Sequence, residues 1–269
     1  MIKLCDFIAE FDKRLGDAVV GENITEKAMR YALFSGGKRL RPYAVYLGAL
    51  YASGGEIDEE TLESVFQYGI SVEMVHTYSL IHDDLPCMDD DDYRRGKKTV
   101  HREFNEWVAV LAGDALLNLA YERGYSLFGG ENNPMPYLAK YAGMGGMLGG
   151  QVMDLSVSKS TEELLKTYSL KTSALFKAAF IGGGIIVKAN SETIRNLEKY
   201  AENLGIAFQI ADDLLETEAE EQNVKRFLSD YEAKNLLKEY TDCAICSIYC
   251  NGKGKVLKEF AEMLIDRKK

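Results

Sequence analysis

Apolar residues recur at spacings of three and four along nearly the whole chain, and no run alternates with period two, so the pattern predicts helices throughout. Only four prolines occur, Pro42, Pro86, Pro134 and Pro136, and the chain beyond them is open to long helices. Local signals set the expected ends. Thr25 is placed to cap a helix that stops at Gly36-Gly37. Asp58, with Glu59, Glu60 and Glu63, opens a long helix ending near Leu85-Pro86. Asn133-Pro134 reads as a cap with proline in the first turn. Ser160-x-x-Glu163 and Ser229-x-x-Glu232 read as capping boxes, and Asn190 or Ser191 starts a helix running past Asp213. Each helix is expected to span roughly 20–30 residues, longer than the usual mean of about 11–12. No linker divides the chain, which predicts a single domain over 1–269. Glycines at 143–150 and 182–184 predict close helix–helix packing, with room beside a bulky ligand as the second reading.

Composition narrows the function. Hydrophobic residues make up 46% of 269, enough for a substantial core. A net charge of −10 argues against nucleic acid as a partner. No run of about 18 uninterrupted apolar residues exists, and the start of the chain lacks the apolar stretch of a signal peptide. The expectation is a cytoplasmic protein with no membrane span. Five cysteines, Cys5, Cys87, Cys243, Cys246 and Cys250, do not form a disulfide framework. The last three share a helix face without a fourth ligand nearby, and they are expected in the core.

The acid is concentrated at 83–92 and 212–221. Asp83, Asp84 and Asp89 cluster where an apolar helix carrying His76, Tyr78, Ser79 and His82 ends at Pro86. Asp90–Asp92 fit a solvated surface, but Asp83 and Asp84 follow Leu80-Ile81 and fit it poorly. Packed carboxylates repel one another and resist burial unless a cation joins them. The neighbouring Arg94-Arg95 calls for an anion. Magnesium, shared between carboxylates and a phosphate, meets both demands. The second cluster, Gln209, Asp212, Asp213 and Glu216, is expected on one helix face by its spacing of three and four. Two such faces can hold metals between them with a polyphosphate in the gap. Gly36-Gly37-Lys38-Arg39-Leu-Arg41 sets three cations beside two glycines, where backbone N–H groups can approach a phosphate closely. Lys171-Thr172 adds a further cation.

GGKRLRP, EMVHTYSLIHDDLPCMDDDDYRRGKKTVH, LAGDALL, GGQVMDL, LKTSALF and FQIADDLLE occur in this order. Together they resemble the trans-isoprenyl diphosphate synthases, the polyprenyl synthetase family, and in particular its bacterial short-chain farnesyl branch. The resemblance runs from about residue 25 to 216. It implies an all-α, single-domain helical bundle of the isoprenoid-synthase type around a central apolar cavity, usually a homodimer. It implies head-to-tail condensation of isopentenyl diphosphate with an allylic diphosphate (dimethylallyl or geranyl). Asp83, Asp84 and Asp89 match one metal-binding motif, and Asp212, Asp213 and Glu216 the other. About three Mg²⁺ ions are implied, with Mn²⁺ as an alternative. Arg94 and Lys171 match contacts to the allylic diphosphate. Gly37, Lys38, Arg41, His76 and Arg95 fall in the isopentenyl diphosphate site, and Thr172 and Gln209 line the reacting centre. Tyr78, with Ser79 beside it, matches the position that limits chain length in farnesyl-type enzymes. It lies five residues before Asp83, roughly 7–8 Å along the helix axis.

The chain departs from the family after residue 216. Glu216 stands where aspartate is preferred. The expected glycine-containing loop with its lysine is missing, and Lys225 or Arg226 is the candidate replacement. The leading expectation is a synthase of a C15 product, with C10 or C20 as alternatives. A terpene synthase is disfavoured by GGKRLRP, and a weakly active or non-catalytic partner subunit rests only on the altered segment. His82 is expected to support Asp83, and Asp114 and Asp154 to serve packing.

Overall fold

The computed structural model describes residues 1–216, 222–248 and 254–265. The described residues are all-α apart from one two-stranded hairpin, and they group into two compact units. The first comprises Met1–Tyr43 and Glu59–Glu131, the second Ala44–Asp58 and Asn132–Lys269. Cys250 lies outside the described residues.

The first unit begins with α1 (Leu4–Ala18) and α2 (Ile24–Leu33), then takes the first turn of α3 (Leu40–Ser53). α1 buries Phe7, Phe11, Leu15 and Ala18, a stripe at helical spacing. Phe7 stacks on Phe66 of α4 (Glu59–Asp83) at 5.0 Å, and the Arg14 guanidinium lies 4.3 Å above the same Phe66 ring. α4 is buried on nearly every side from Val65 to Asp83, as a central helix must be. The hairpin strands β1 (Tyr93–Arg94) and β2 (Lys97–Lys98) follow, then α5 (Val100–Glu103) and α6 (Glu106–Leu127). α6 lies close against α4 because Gly113 leaves room for the His82 ring.

The second unit contains the rest of α3, then α7 (Met135–Ala142), α8 (Met147–Asp154) and α9 (Thr161–Tyr168). α9 continues through a π-helical turn, Ser169–Ser173, into α10 (Ala174–Ile186). α11 (Ser191–Leu215), α12 (Asp230–Ile248) and α13 (Lys255–Ile265) complete it. α3 and α10 meet backbone to backbone, since a Cβ at Gly48 would strike Phe180 and one at Gly183 would strike Val45. Leu164, Tyr168, Ile206, Ile210, Val224 and Ala233 form one cluster of the core.

Several expected ends shift. Asn23, not Thr25, caps α2, in a full capping box with Glu26. Glu232 and Ser229 bond reciprocally as expected, and Asn190 caps α11. Ser160 accepts from the Glu163 amide, but the Glu163 carboxylate reaches Lys159 N instead of closing a box. Among the described residues, α4, α6, α11 and the continuous stretch α9–π turn–α10 reach the expected length, and the other helices are shorter, so the expected uniform helix length is corrected. A break at Gly143 divides what the periodicity reads as a longer helix, whereas α9, the π turn and α10 run on without interruption. Cys243 and Cys246 are exposed, which overturns the core expectation for them. α12 instead buries Ala233, Ala244 and Ile248, a face one position away.

Candidate active site

In the first unit, α4 ends because Pro86 has no N–H and its ring disfavours a helical residue before it. The chain then folds back, and the Asp89 amide donates to the Asp83 carbonyl at 2.8 Å. Asp83 and Asp84 are buried, while Asp89 is exposed. Arg94 Nε donates to Asp84 Oδ1 at 2.5 Å, and its Nη2 lies 3.4 Å from Asp91. Burial pushes the Asp84 carboxyl up to about 6; Arg94 opposes the shift, and the charges of Asp91 and Asp89 add to it. Hard oxygen donors crowded until one resists ionisation fit a divalent cation.

Arg94 is carried by the hairpin, whose pairs are Tyr93–Lys98 and Arg94–Lys97. Its turn residues Arg95 and Gly96 both have positive φ, 54° and 76°, as a type I′ turn requires. The Arg95 guanidinium bends onto the Gly36–Gly37 turn and donates to the Gly36 carbonyl. Gly37 holds a φ of 136°, which strains any residue but glycine, and a Cβ there would stand 2.6 Å from Arg95 Nη1 and displace it.

Arg39 anchors this turn from below. It holds a left-handed φ of 48° and is 4% exposed. Its Nη1 reaches Glu73 at 2.7 Å, its Nε Asp12 at 2.8 Å and its Nη2 the Leu33 carbonyl at 2.7 Å. Lys38 is thereby left in solvent, and Arg41 is turned inward, with Nη1 3.1 Å from His76 Nε2. Arginine only donates, so His76 Nε2 accepts and the ring proton sits on Nδ1. Burial, then the charges of Arg41, Arg95, Arg94 and Arg39, hold the His76 pKa well below 6.5. Burial also brings Arg41 down to about 10, against the pull of Glu73 and with the push of Arg95. A neutral imidazole ringed by arginines has the charge to attract a multiply charged anion.

Tyr78 is buried, lies edge-on to His82 at 5.8 Å, and has its hydroxyl pushed up to about 12 by burial with help from Tyr121 and Asp83. Ser79 Oγ is used on the His76 carbonyl at 2.9 Å. His82 Nε2 lies 3.1 Å from the Val110 carbonyl and 3.9 Å from Asp114, so this nitrogen faces α6. A cleft of about 380 Å³, its open mouth included, lies between α2, α4 and the hairpin. Leu80, Ile81 and Val100 are among its apolar lining, and Asp84, Arg94 and Arg95 among its charged lining.

In the second unit, Lys171 and Thr172 sit on the π turn, which is pressed between glycines. A Cβ at Gly150 would overlap the Lys171 backbone, and one at Gly205 would overlap Ser173. Lys171 Nζ pairs with Asp154. Thr172 Oγ1 donates to Gln209 Oε1 at 3.1 Å, and Gln209 Nε2 donates to Asp213 Oδ1 at 3.2 Å. Asp213 also accepts from the Tyr168 hydroxyl and, at 2.7 Å, from the Val224 amide. Burial pushes the Asp213 carboxyl up to about 6 against these three donors. Asp212 and Glu216 are half-buried.

One expectation is corrected. α11 stops at Leu215, and Glu216 has extended backbone (φ −71°, ψ 138°), so Glu216 does not share the helix face of Gln209, Asp212 and Asp213. Lys225 Nζ donates to the Glu216 carbonyl at 2.5 Å, at the end of α11. Among the described residues, no three acidic, histidine or cysteine side chains stand together closely enough to hold a metal alone. Magnesium takes its remaining oxygens from phosphate and water. Sequence reasoning missed the roles of Glu73, Asp12, Tyr168 and Asn223. Glu73 did carry a signal, a lone acid in the apolar run Ile70–Val75.

This fold and these sites define an all-α protein of the isoprenoid-synthase kind. The polyprenyl synthetase family model matches residues 22–238. The chain belongs to the polyprenyl synthetase family. It is 40% identical over 245 residues to a farnesyl diphosphate synthase of Bacillus subtilis, covering 85% of this chain and 81% of that protein. It is 39% identical over 239 residues to a dimethylallyltranstransferase of Fischerella ambigua, covering 82% of this chain and 66% of that protein. A crystal structure of an FPP/GFPP synthase from Zymomonas mobilis superposes with a TM-score of 0.85 at 34% identity, covering 96% of this chain and 95% of that one.

Proposed function

We propose that this chain is a prenyltransferase that condenses isopentenyl diphosphate with dimethylallyl or geranyl diphosphate to give farnesyl diphosphate. The observation that carries the reading is the neutral His76 ringed by Arg41, Arg95, Arg94 and Arg39 beside the Asp83–Asp84 carboxylates, in a chain 40% identical to a farnesyl diphosphate synthase. The arginine ring seats the isopentenyl diphosphate, with Gly37 and Lys38 at its rim. Asp83, Asp84 and Asp89 of one motif would hold Mg²⁺, as would Asp212, Asp213 and Glu216 of the other, about three ions in all, and the metal would supply charge stabilisation to the departing diphosphate. Arg94 and Lys171 would each exchange a resting carboxylate partner for phosphate oxygen. Ionisation of the allylic C–O bond leaves a carbocation. The isopentenyl double bond attacks it, forming the new C–C bond, and a proton leaves the adjacent carbon for the released diphosphate. Thr172 and Gln209, bonded to each other, line the centre where that charge develops.

Tyr78 sets the product at fifteen carbons by closing the chain-growth path. A homodimer and a cytoplasmic location complete the reading; no helix among the described residues is long and apolar enough to cross a membrane. The test is incubation with isopentenyl diphosphate, each primer and Mg²⁺, followed by product-length analysis. Farnesyl diphosphate is expected, with longer products from Tyr78→Ala. Absence of any extended product would refute the reading, and unchanged product length from Tyr78→Ala would remove Tyr78 from it. Gel filtration reads the dimer.

A further inference from the structure

The stretch that departs from the family is bonded closely to the second acidic motif. Gln222 is anchored first: its Nε2 donates to the Asp154 and Ser156 carbonyls at 2.8 and 3.1 Å, and its Oε1 accepts from the Ser158 amide at 3.3 Å. Val224 is fully buried in the core cluster with Leu164, Tyr168 and Ile210, and its amide donates to Asp213 Oδ2. Between them Asn223 is 1% exposed. Its Nδ2 donates to Glu216 Oε2 at 2.8 Å, and its Oδ1 accepts from the Lys225 amide at 2.9 Å. Glu216 sits past the end of α11 on extended backbone, where no helix neighbour fixes its three side-chain torsions. Among the described residues, Asn223 is the side chain that bonds it, through one carboxylate oxygen.

We propose that Asn223 is a positioning residue: it holds Glu216 Oε2 so that Oε1 is presented to a divalent cation arriving with diphosphate. This device lets the longer glutamate stand where the family prefers aspartate. The inference rests on the reading of the second acidic motif given above. Ordering a flexible ligand in advance lowers the cost of binding, and partners of metal ligands change affinity by about 10–100-fold when removed.

The test is calorimetric titration of inorganic pyrophosphate into the protein at increasing Mg²⁺, which involves no turnover. Asn223→Asp keeps an acceptor for the Lys225 amide and removes the donor to Glu216. In the native background it is expected to raise the Mg²⁺ needed for half-saturation by about tenfold. With Glu216→Asp the side chain is too short to reach Asn223, and adding Asn223→Asp is expected to change that midpoint by less than about twofold. Equal losses in the two backgrounds overturn the proposal, because a role confined to holding the backbone costs the same in both. Should Asn223→Asp lose its cooperative melt, Asn223→Ser, which also keeps a short acceptor, is read by the same comparison. A native protein that binds no pyrophosphate at any Mg²⁺ concentration overturns the reading of the motif along with the proposal. Native binding with no coupling between the two positions overturns the proposal alone.

Discussion

Glu73 is the residue on which the cationic cluster depends. It is 2% exposed, bonds Arg39, and its charge supports Arg41 and Arg95 as well. Removing one partner of a buried ion pair leaves the other uncompensated, at about 3–5 kcal/mol. Glu73→Ala is therefore expected to lower the denaturation free energy by about that much, read from urea midpoints. His76 gives a second prediction. As pH falls through about 6.5 the unfolded chain protonates this histidine and the folded chain does not, so the unfolded state binds more protons and stability falls. Asp84 and Asp213, raised to about 6, act in the opposite sense, since the folded chain binds their protons more readily between the ordinary 3.8 and 6. Comparison with His76→Gln isolates the imidazole. Between about pH 7.5 and 5.5 the native protein is expected to lose melting temperature relative to the variant, and parallel curves would refute the buried neutral ring. The charged motifs were legible in the sequence because their composition is unusual. Their counter-ions, Glu73 and Asp12, were not, because a lone acid acquires its meaning only when folding supplies the arginine.

The π turn is the element that carries Lys171 and Thr172, and Gly150 and Gly205 press on it. Gly150→Ala and Gly205→Ala are each expected to cost about 1–3 kcal/mol by overpacking. Both should also raise the KM for the allylic substrate more than that for isopentenyl diphosphate, because Lys171 moves with the turn. Steady-state kinetics with each substrate varied checks this. The glycine-rich segments were readable as packing signals, but the π turn was not, since no residue type in Ser169–Ser173 marks a change of hydrogen-bond register. Helix faces show the same limit. Cys243 and Cys246 share a face at the sequence level, yet α12 rolled by one position buries Ala233, Ala244 and Ile248 instead. Periodicity alone does not distinguish such neighbouring faces. Glu216 was misread for a related reason: the end of α11 is set by bonds from Asn223 and Lys225, which lie beyond the helix.

At the scale of the molecule, the chain leaves the first unit inside α3, returns at Glu59 and leaves again after Glu131. Residues 132–269 are thus not a complete unit: they lack Ala44–Ser53, whose Gly48 meets Phe180 and whose Val45 meets Gly183. That fragment is expected to show neither near-ultraviolet circular dichroism nor a cooperative melt, and mixing it with residues 1–131 is expected to restore both. No flexible linker marks these crossings in the sequence, and the one between Tyr43 and Ala44 falls inside α3, where it leaves no compositional trace. One further consequence follows from Asp84–Arg94 and Lys171–Asp154. Each cation proposed above to bind phosphate rests on a carboxylate of the same chain, so on that proposal docking trades one contact for another and creates little new charge. Added salt loosens the old pairing as well as the new one, and affinity should therefore decline with ionic strength less steeply than the number of basic groups implies.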